Sequence, residues 1–156
     1  MKITLFLLLA TAVVGRAQTT TELLPVGTEA PDFQITNDKT GKKIFRLSDW
    51  KTKTDADGKV VPGVWTVLDF WASWCPDCRK DMPKVKEISK KYLTKIQLVG
   101  ISFATDKDKM NKYLSSNYYD QLIQYCEGNK WKETQISKDY HISWIPTVYV
   151  IDPQGN

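Results

Sequence analysis

Val64-Trp65-Thr66-Val67-Leu68-Asp69-Phe70-Trp71-Ala72-Ser73-Trp74-Cys75-Pro76-Asp77-Cys78 is the stretch on which the fold turns. Val64 to Phe70 is β-branched and aromatic, and nearly apolar on both faces. Such a run suits a central strand covered on both sides. Beyond it Cys78, Met82, Val85, Ile88 or Ser89, and Tyr92 recur at helical spacing. Pro83 falls inside that pattern and predicts a kink. Cys75 thus stands where a buried strand gives way to a helix. Unpaired N–H groups and the helix dipole stabilise an anion there, and a thiolate so placed titrates below the free value of about 8.5. Cys78 is three residues on, on the same helix face and within disulfide reach. The arrangement suits an exposed attacking Cys75 and a shielded resolving Cys78, working by thiol–disulfide exchange.

The surrounding sequence reads as alternating strands and helices. Phe33–Ile35 and Ile44–Leu47 alternate about the turn residues Asn37–Gly41, which predicts a hairpin. Ser48-Asp49-Trp50 suits a short helical turn. Lys51 to Gly63, with Asp57-Gly58 at its centre and Val60-Val61 after it, reads as a smaller hairpin or an excursion loop. Leu98–Phe103 is a second buried strand. Thr105 to Asp108 matches a capping box, opening a helix through Met110 and Leu114. Leu122–Cys126 is a short strand, Thr134–Tyr140 a helix with Ile136 and Tyr140 inward, and Thr147–Ile151 a strand. Strands alternating with helices indicate an α/β fold with parallel pairings. Asp152-Pro153-Gln154-Gly155 reads as a turn, so a further strand is expected beyond it.

Composition bounds the function. The chain has 156 residues, enough for one domain with a sizeable core. Lys2, the apolar run Ile3–Val14 and the small-x-small site Gly15-Arg16-Ala17 read as a secretory signal over residues 1–17. The run is too short to span a bilayer, so no stable membrane insertion is expected. Residues 18–26 are polar and Thr-rich, a flexible lead-in, and the domain proper runs from 27 to 156. Without Lys2 and Arg16 the 22 basic residues fall to 20, against 18 acidic ones. That balance lacks the clustered excess of a nucleic-acid-binding domain. Export favours disulfides, but a bridge between Cys75 and Cys78 closes too short a loop to act as a staple. Nor do the remaining Cys126 and His141 complete a zinc site of about four ligands, and no cofactor is implied.

Phe70-Trp71-Ala72-Ser73-Trp74-Cys75-Pro76-Asp77-Cys78 resembles the active-site strand and helix of the thioredoxin family. Gly27–Phe33 and Ile145-Pro146-Thr147 resemble its exported TlpA/ResA-like branch. The resemblance covers 27–156 and implies a thioredoxin fold with an N-terminal β-hairpin extension and a central mixed sheet flanked by helices. The family's closing strand and last helix would be missing after Asn156, leaving a sheet edge uncovered. Asp69, six residues before Cys75, matches the family's buried acid. Desolvation would raise its pKa and let it exchange a proton with Cys78. Pro83 matches a helix-kinking proline. Pro146 matches the proline with a cis peptide bond that faces the dithiol, leaving the Ile145 backbone to pair with an extended substrate. Trp74 and Pro76 complete the substrate-contacting set, Trp74 by apolar contact. Two departures stand out. Asp77 places a negative charge beside the dithiol, which opposes thiolate formation and inclines the centre toward reduction. Gly100 stands where thioredoxins carry a Lys near the buried acid.

The expected activity is therefore that of a periplasmic thiol–disulfide oxidoreductase reducing protein disulfides. In this family the clients include apocytochromes c, and reducing equivalents come from a membrane donor of the DsbD/CcdA kind. A peroxidase of the related peroxiredoxin kind is less suited, because Leu68 and Ala72 stand where those enzymes need Pro and Thr. A redox-inert binding or chaperone module is the alternative from another class. Cys126 reads as a buried free thiol, although an odd thiol also invites an intermolecular bridge. His141 reads as a surface or hydrogen-bonded residue. Trp50, Trp65, Trp131 and Trp144 read as core or loop packing, the last two also as candidates for the rim of the substrate groove.

Overall fold

The computed structural model describes residues 22–37, 39–92, 94–117, 119 and 122–156. The expected signal segment and residues 18–21 of the lead-in lie outside them. The strands are β1 (Gln34–Thr36), β2 (Lys43–Arg46), β3 (Lys53–Thr54), β4 (Val60–Val61), β5 (Trp65–Trp71), β6 (Ile96–Ser102), β7 (Ile123–Cys126) and β8 (Thr147–Ile151). The α-helices are α1 (Pro76–Lys91), α2 (Lys107–Ser116) and α3 (Gln135–Asp139). Short 3-10 turns cover Leu47–Trp50 and Trp131–Glu133.

The central sheet has the order β7-β6-β5-β8. β5 pairs with β6 in parallel and with β8 antiparallel, and β6 pairs with β7 in parallel. The sheet is mixed and the fold is that of thioredoxin, as the resemblance implied. The hairpins β1–β2 and β3–β4 stand outside it as two-stranded sheets. The first turn closes where expected: Asn37 Oδ1 accepts the Lys39 and Thr40 N–H groups at 3.0 Å each. Gly41 follows at φ 65°, a left-handed conformation glycine adopts without a Cβ clash.

Alternation along β5 divides the core in two. Leu68 and Phe70 face one way and pack with Val99, Ile101, Ile35, Phe45, Leu47, Ile136 and Tyr140. Tyr140 is fully buried and its hydroxyl donates to the Pro31 carbonyl at 2.7 Å. Trp71 faces the other way and packs with Cys75, Cys78, Met82, Met110, Leu114 and Cys126. α1 and α2 cover this second face. Leu24 of the lead-in borders β8, where its N–H donates to the Tyr149 hydroxyl at 3.0 Å.

Several boundaries and faces depart from the sequence reading. The central strand runs Trp65–Trp71, one residue later than expected, and the second buried strand Ile96–Ser102, earlier than expected. The cap of α2 is Asp106, whose carboxylate accepts the Lys109 N–H at 2.9 Å, so the box does not open at Thr105. Asp106 wins because its charged oxygen is the stronger acceptor for an unpaired helix N–H. On α1 only Cys78 and Met82 are buried, with Val85 and Ser89 half-buried on the same face; of the alternatives Ile88 and Ser89 it is Ser89 that faces inward, and Ile88 and Tyr92 are exposed. Trp65 and Trp144 are exposed, so neither belongs to the core. Trp50 does pack, stacked on Phe45 with centroids 6.3 Å apart.

Candidate active site

The end of β5 and the start of α1 build the site. After Trp71 the chain turns tightly, and the Cys75 N–H donates to the Ala72 carbonyl at 3.0 Å. Cys75 is the N-cap of α1, in extended conformation, with Pro76 at the first helical position. A proline fits there because its missing N–H would have no helical partner anyway. Cys75 Sγ accepts the Cys78 N–H at 3.2 Å, the capping bond usually made by an oxygen. Cys75 and Cys78 form a disulfide, their Cα atoms 5.3 Å apart. The helix continues through Pro83.

Cys75 is not the exposed residue that the spacing suggested. It is 5% exposed, against 2% for Cys78. The cover comes from a distant segment: the Ile145 carbonyl oxygen lies 3.9 Å from Cys75 Sγ. The Ile145–Pro146 peptide bond is cis. Among the described residues the Ile145 N–H takes no hydrogen-bond partner. Exposure resumes on either side of the dithiol. Pro76 and Asp77 are exposed; Trp74 is 55% exposed and Trp144 68%. The Trp74 Nε1–H turns inward to the Phe103 carbonyl at 3.4 Å.

Asp69 lies in β5 on the same face as Trp71, beneath α1, and is 5% exposed. Burial, aided by the nearby charge of Asp81, raises its pKa to about 7. A carboxyl so held can take or give a proton near neutrality. Asp77, in contrast, points to solvent and pairs with Lys80 at 2.9 Å. Its charge is thus partly balanced, and its opposition to a Cys75 thiolate is weaker than the dipeptide alone suggested.

Gln124 was not singled out by its sequence context. It stands opposite Gly100 in the β6–β7 register, and Gly100 stands opposite Asp69 in β5–β6. The Gln124 amide lies across Gly100 so closely that a Cβ there would collide with it. Its Oε1 accepts the Nε1–H of the fully buried Trp71 at 2.9 Å. Where thioredoxins have a Lys, this chain therefore has a glycine with a neutral amide over it. The signal available in the sequence was the glycine itself, since a glycine within a strand marks close approach.

Cys126 is buried, as expected, and its Sγ–H donates to the Ala104 carbonyl at 2.9 Å. His141 is exposed at φ 51°, and its Nδ1 lies 3.1 Å from the Glu22 carbonyl oxygen. Among the described residues no group of three or more His, Cys, Asp or Glu side chains could hold a metal ion.

The sequence profile of the thioredoxin-like family matches residues 63–156. The thioredoxin-like protein YneN of Bacillus subtilis (strain 168) is 31% identical over 131 residues, 83% of this chain and 66% of that protein. The thiol-disulfide oxidoreductase ResA of Oceanobacillus iheyensis is 28% identical over 147 residues, 92% of this chain and 68% of that protein. The chain thus spans about two thirds of the length of these relatives. Among solved structures, a thiol-disulfide oxidoreductase from Bacteroides fragilis shares the fold with a TM-score of 0.65 at 24% identity, covering 83% of this chain and 86% of that one. The paired cysteines at the strand-to-helix junction and these similarities agree: the chain belongs to the thioredoxin-like family, among its thiol-disulfide oxidoreductases.

Proposed function

We propose that this chain is an exported reductant that opens disulfides in client proteins. The observation that carries the reading is the Cys75–Cys78 pair at the N-terminus of α1, above a buried acid whose pKa is about 7. In the reduced state the Cys75 thiolate, stabilised by the Cys78 N–H and the helix N-terminus, attacks one sulfur of a client disulfide. One client thiolate leaves and a Cys75–client mixed disulfide forms. Asp69 takes the Cys78 proton, and the Cys78 thiolate then attacks Cys75. The second client thiol is freed and the Cys75–Cys78 disulfide closes, so two electrons have passed to the client. Trp74 and Pro76 give the client apolar contact. The open N–H and the carbonyl of Ile145, before Pro146, receive its extended backbone.

The Lys2–Ala17 leader supports export to the periplasm, and among the described residues no helix is long and apolar enough to cross a membrane. A dithiol in an oxidising compartment needs resupply. A membrane donor of the DsbD/CcdA kind fits that need, and apocytochromes c are fitting clients. The test is trapping: with client proteins of the native host, a Cys78→Ser variant accumulates mixed disulfides through Cys75, and further replacement of Cys75 abolishes them. Absence of any trapped client would sink the proposal.

A further inference from the structure

Beside the dithiol lies a cleft of about 370 Å³, lined by Trp74, Phe103, Thr105 and the 130–133 segment. Buried Phe103 is its floor. The Trp74 ring forms one wall, its N–H turned inward to the Phe103 carbonyl. Trp131 forms the other, packed on Phe103 with ring centroids 6.1 Å apart. Lys130, Lys132 and Glu133 stand exposed on the rim, with Lys132 Nζ 5.5 Å from the Trp131 ring centroid. Among the described residues neither lysine has a carboxylate partner. The cleft therefore combines aromatic walls with two cations against one anion.

We propose that this cleft is a specificity pocket of the same active site, seating an aromatic side chain of the client with an acidic residue beside it. The inference rests on the reading that Cys75 attacks protein disulfides. Trp74 is the chain neighbour of Cys75, so whatever packs on its ring lies within a few residues of the client cysteine under attack. The volume is at the small end for ligand pockets and suits a single ring. Aromatic rings pair favourably edge-on or offset against such walls, and a client carboxylate answers Lys130 and Lys132.

Four cyclic peptides test the proposal, each closed by one intramolecular disulfide and carrying Phe-Glu, Ser-Glu, Phe-Lys or Ser-Lys beside its first cysteine. Each oxidises the pre-reduced full chain as its own disulfide opens, and the rate constant is read by alkylation and mass spectrometry. The Phe-Glu peptide reacts about tenfold or more faster than Ser-Lys, the scale of one interface hot spot. Trp131→Ala removes the preference for Phe over Ser. The double variant Lys130→Glu, Lys132→Glu inverts the preference for Glu over Lys; both positions are exposed, so this arm stands even where Trp131→Ala fails to fold. Equal rate constants for the four peptides would overturn the cleft and leave the dithiol chemistry standing. Reaction with none of them would overturn the dithiol reading and the cleft with it. Preferences that survive both variants, or a concentration-dependent dimer lost in the double variant, would assign recognition elsewhere or the cleft to a second copy.

Discussion

Replacing Asp69 by Asn tests the buried acid through stability alone, without turnover. The amide has nearly the shape of the protonated carboxyl and carries no charge at any pH. Burial first, and the Asp81 charge second, move Asp69 from 3.8 to about 7 in the folded protein. The folded chain therefore holds this proton more tightly than the unfolded chain. Below pH 3.8 both states are protonated and the residue costs nothing. Between 3.8 and about 7 the folded state loses stability as pH rises, and above about 7 the full cost stands. At about 1.4 kcal/mol per pH unit, that interval corresponds to a cost of about 4 kcal/mol. Urea unfolding of the disulfide form of both proteins, from pH 4 to pH 9, reads it directly. Asp69→Asn should match the wild type near pH 4, gain on it through neutrality, and be more stable by about 4 kcal/mol above pH 8. A difference that does not change with pH, or a wild type that stays the more stable throughout, would refute the desolvated acid and its proposed proton exchange with Cys78.

Two further substitutions follow from the packing beneath the dithiol. In Gly100→Ala the new Cβ displaces the Gln124 amide and leaves the buried Trp71 N–H without its acceptor; the urea midpoint should fall by the equivalent of about 1–3 kcal/mol. Met82 is 1% exposed, packed with Cys78 and Trp71, so Met82→Ala should cost about 2–5 kcal/mol in the same assay through lost burial and the cavity left behind.

The parts of the site that were legible in the sequence are those set by short spacings or by strongly patterned runs. Cys75 and Cys78 follow from a strand meeting a helix, and Thr147–Ile151 is bounded by turn residues. Parallel pairing of β5, β6 and β7 follows from helices between strands. Contacts made across the fold were not legible. Burial of Cys75 depends on Ile145, 70 residues away. The Gln124 amide reaches Trp71 only because the β6–β7 register brings it over Gly100. Helical spacing identifies the inner face of α1 but does not choose between Ile88 and Ser89, of which only Ser89 is half-buried, nor show that Tyr92 lies beyond the cover. Asp77 looked like a bare charge until the helix brought Lys80 to it, one turn on. Trp131 enters the cleft with Trp74 because both pack about Phe103, a tertiary fact with no local pattern.

Cys75 and Cys78 are proposed to act as a reducing pair. The most direct test of that direction is the reduction potential of the full chain, equilibrated against dithiothreitol and glutathione buffers and read by alkylation of Cys75 and Cys78. A reducing pair has a value near about −270 mV, whereas a value near about −120 mV would place Cys75 and Cys78 with the strong oxidants and overturn the proposed direction.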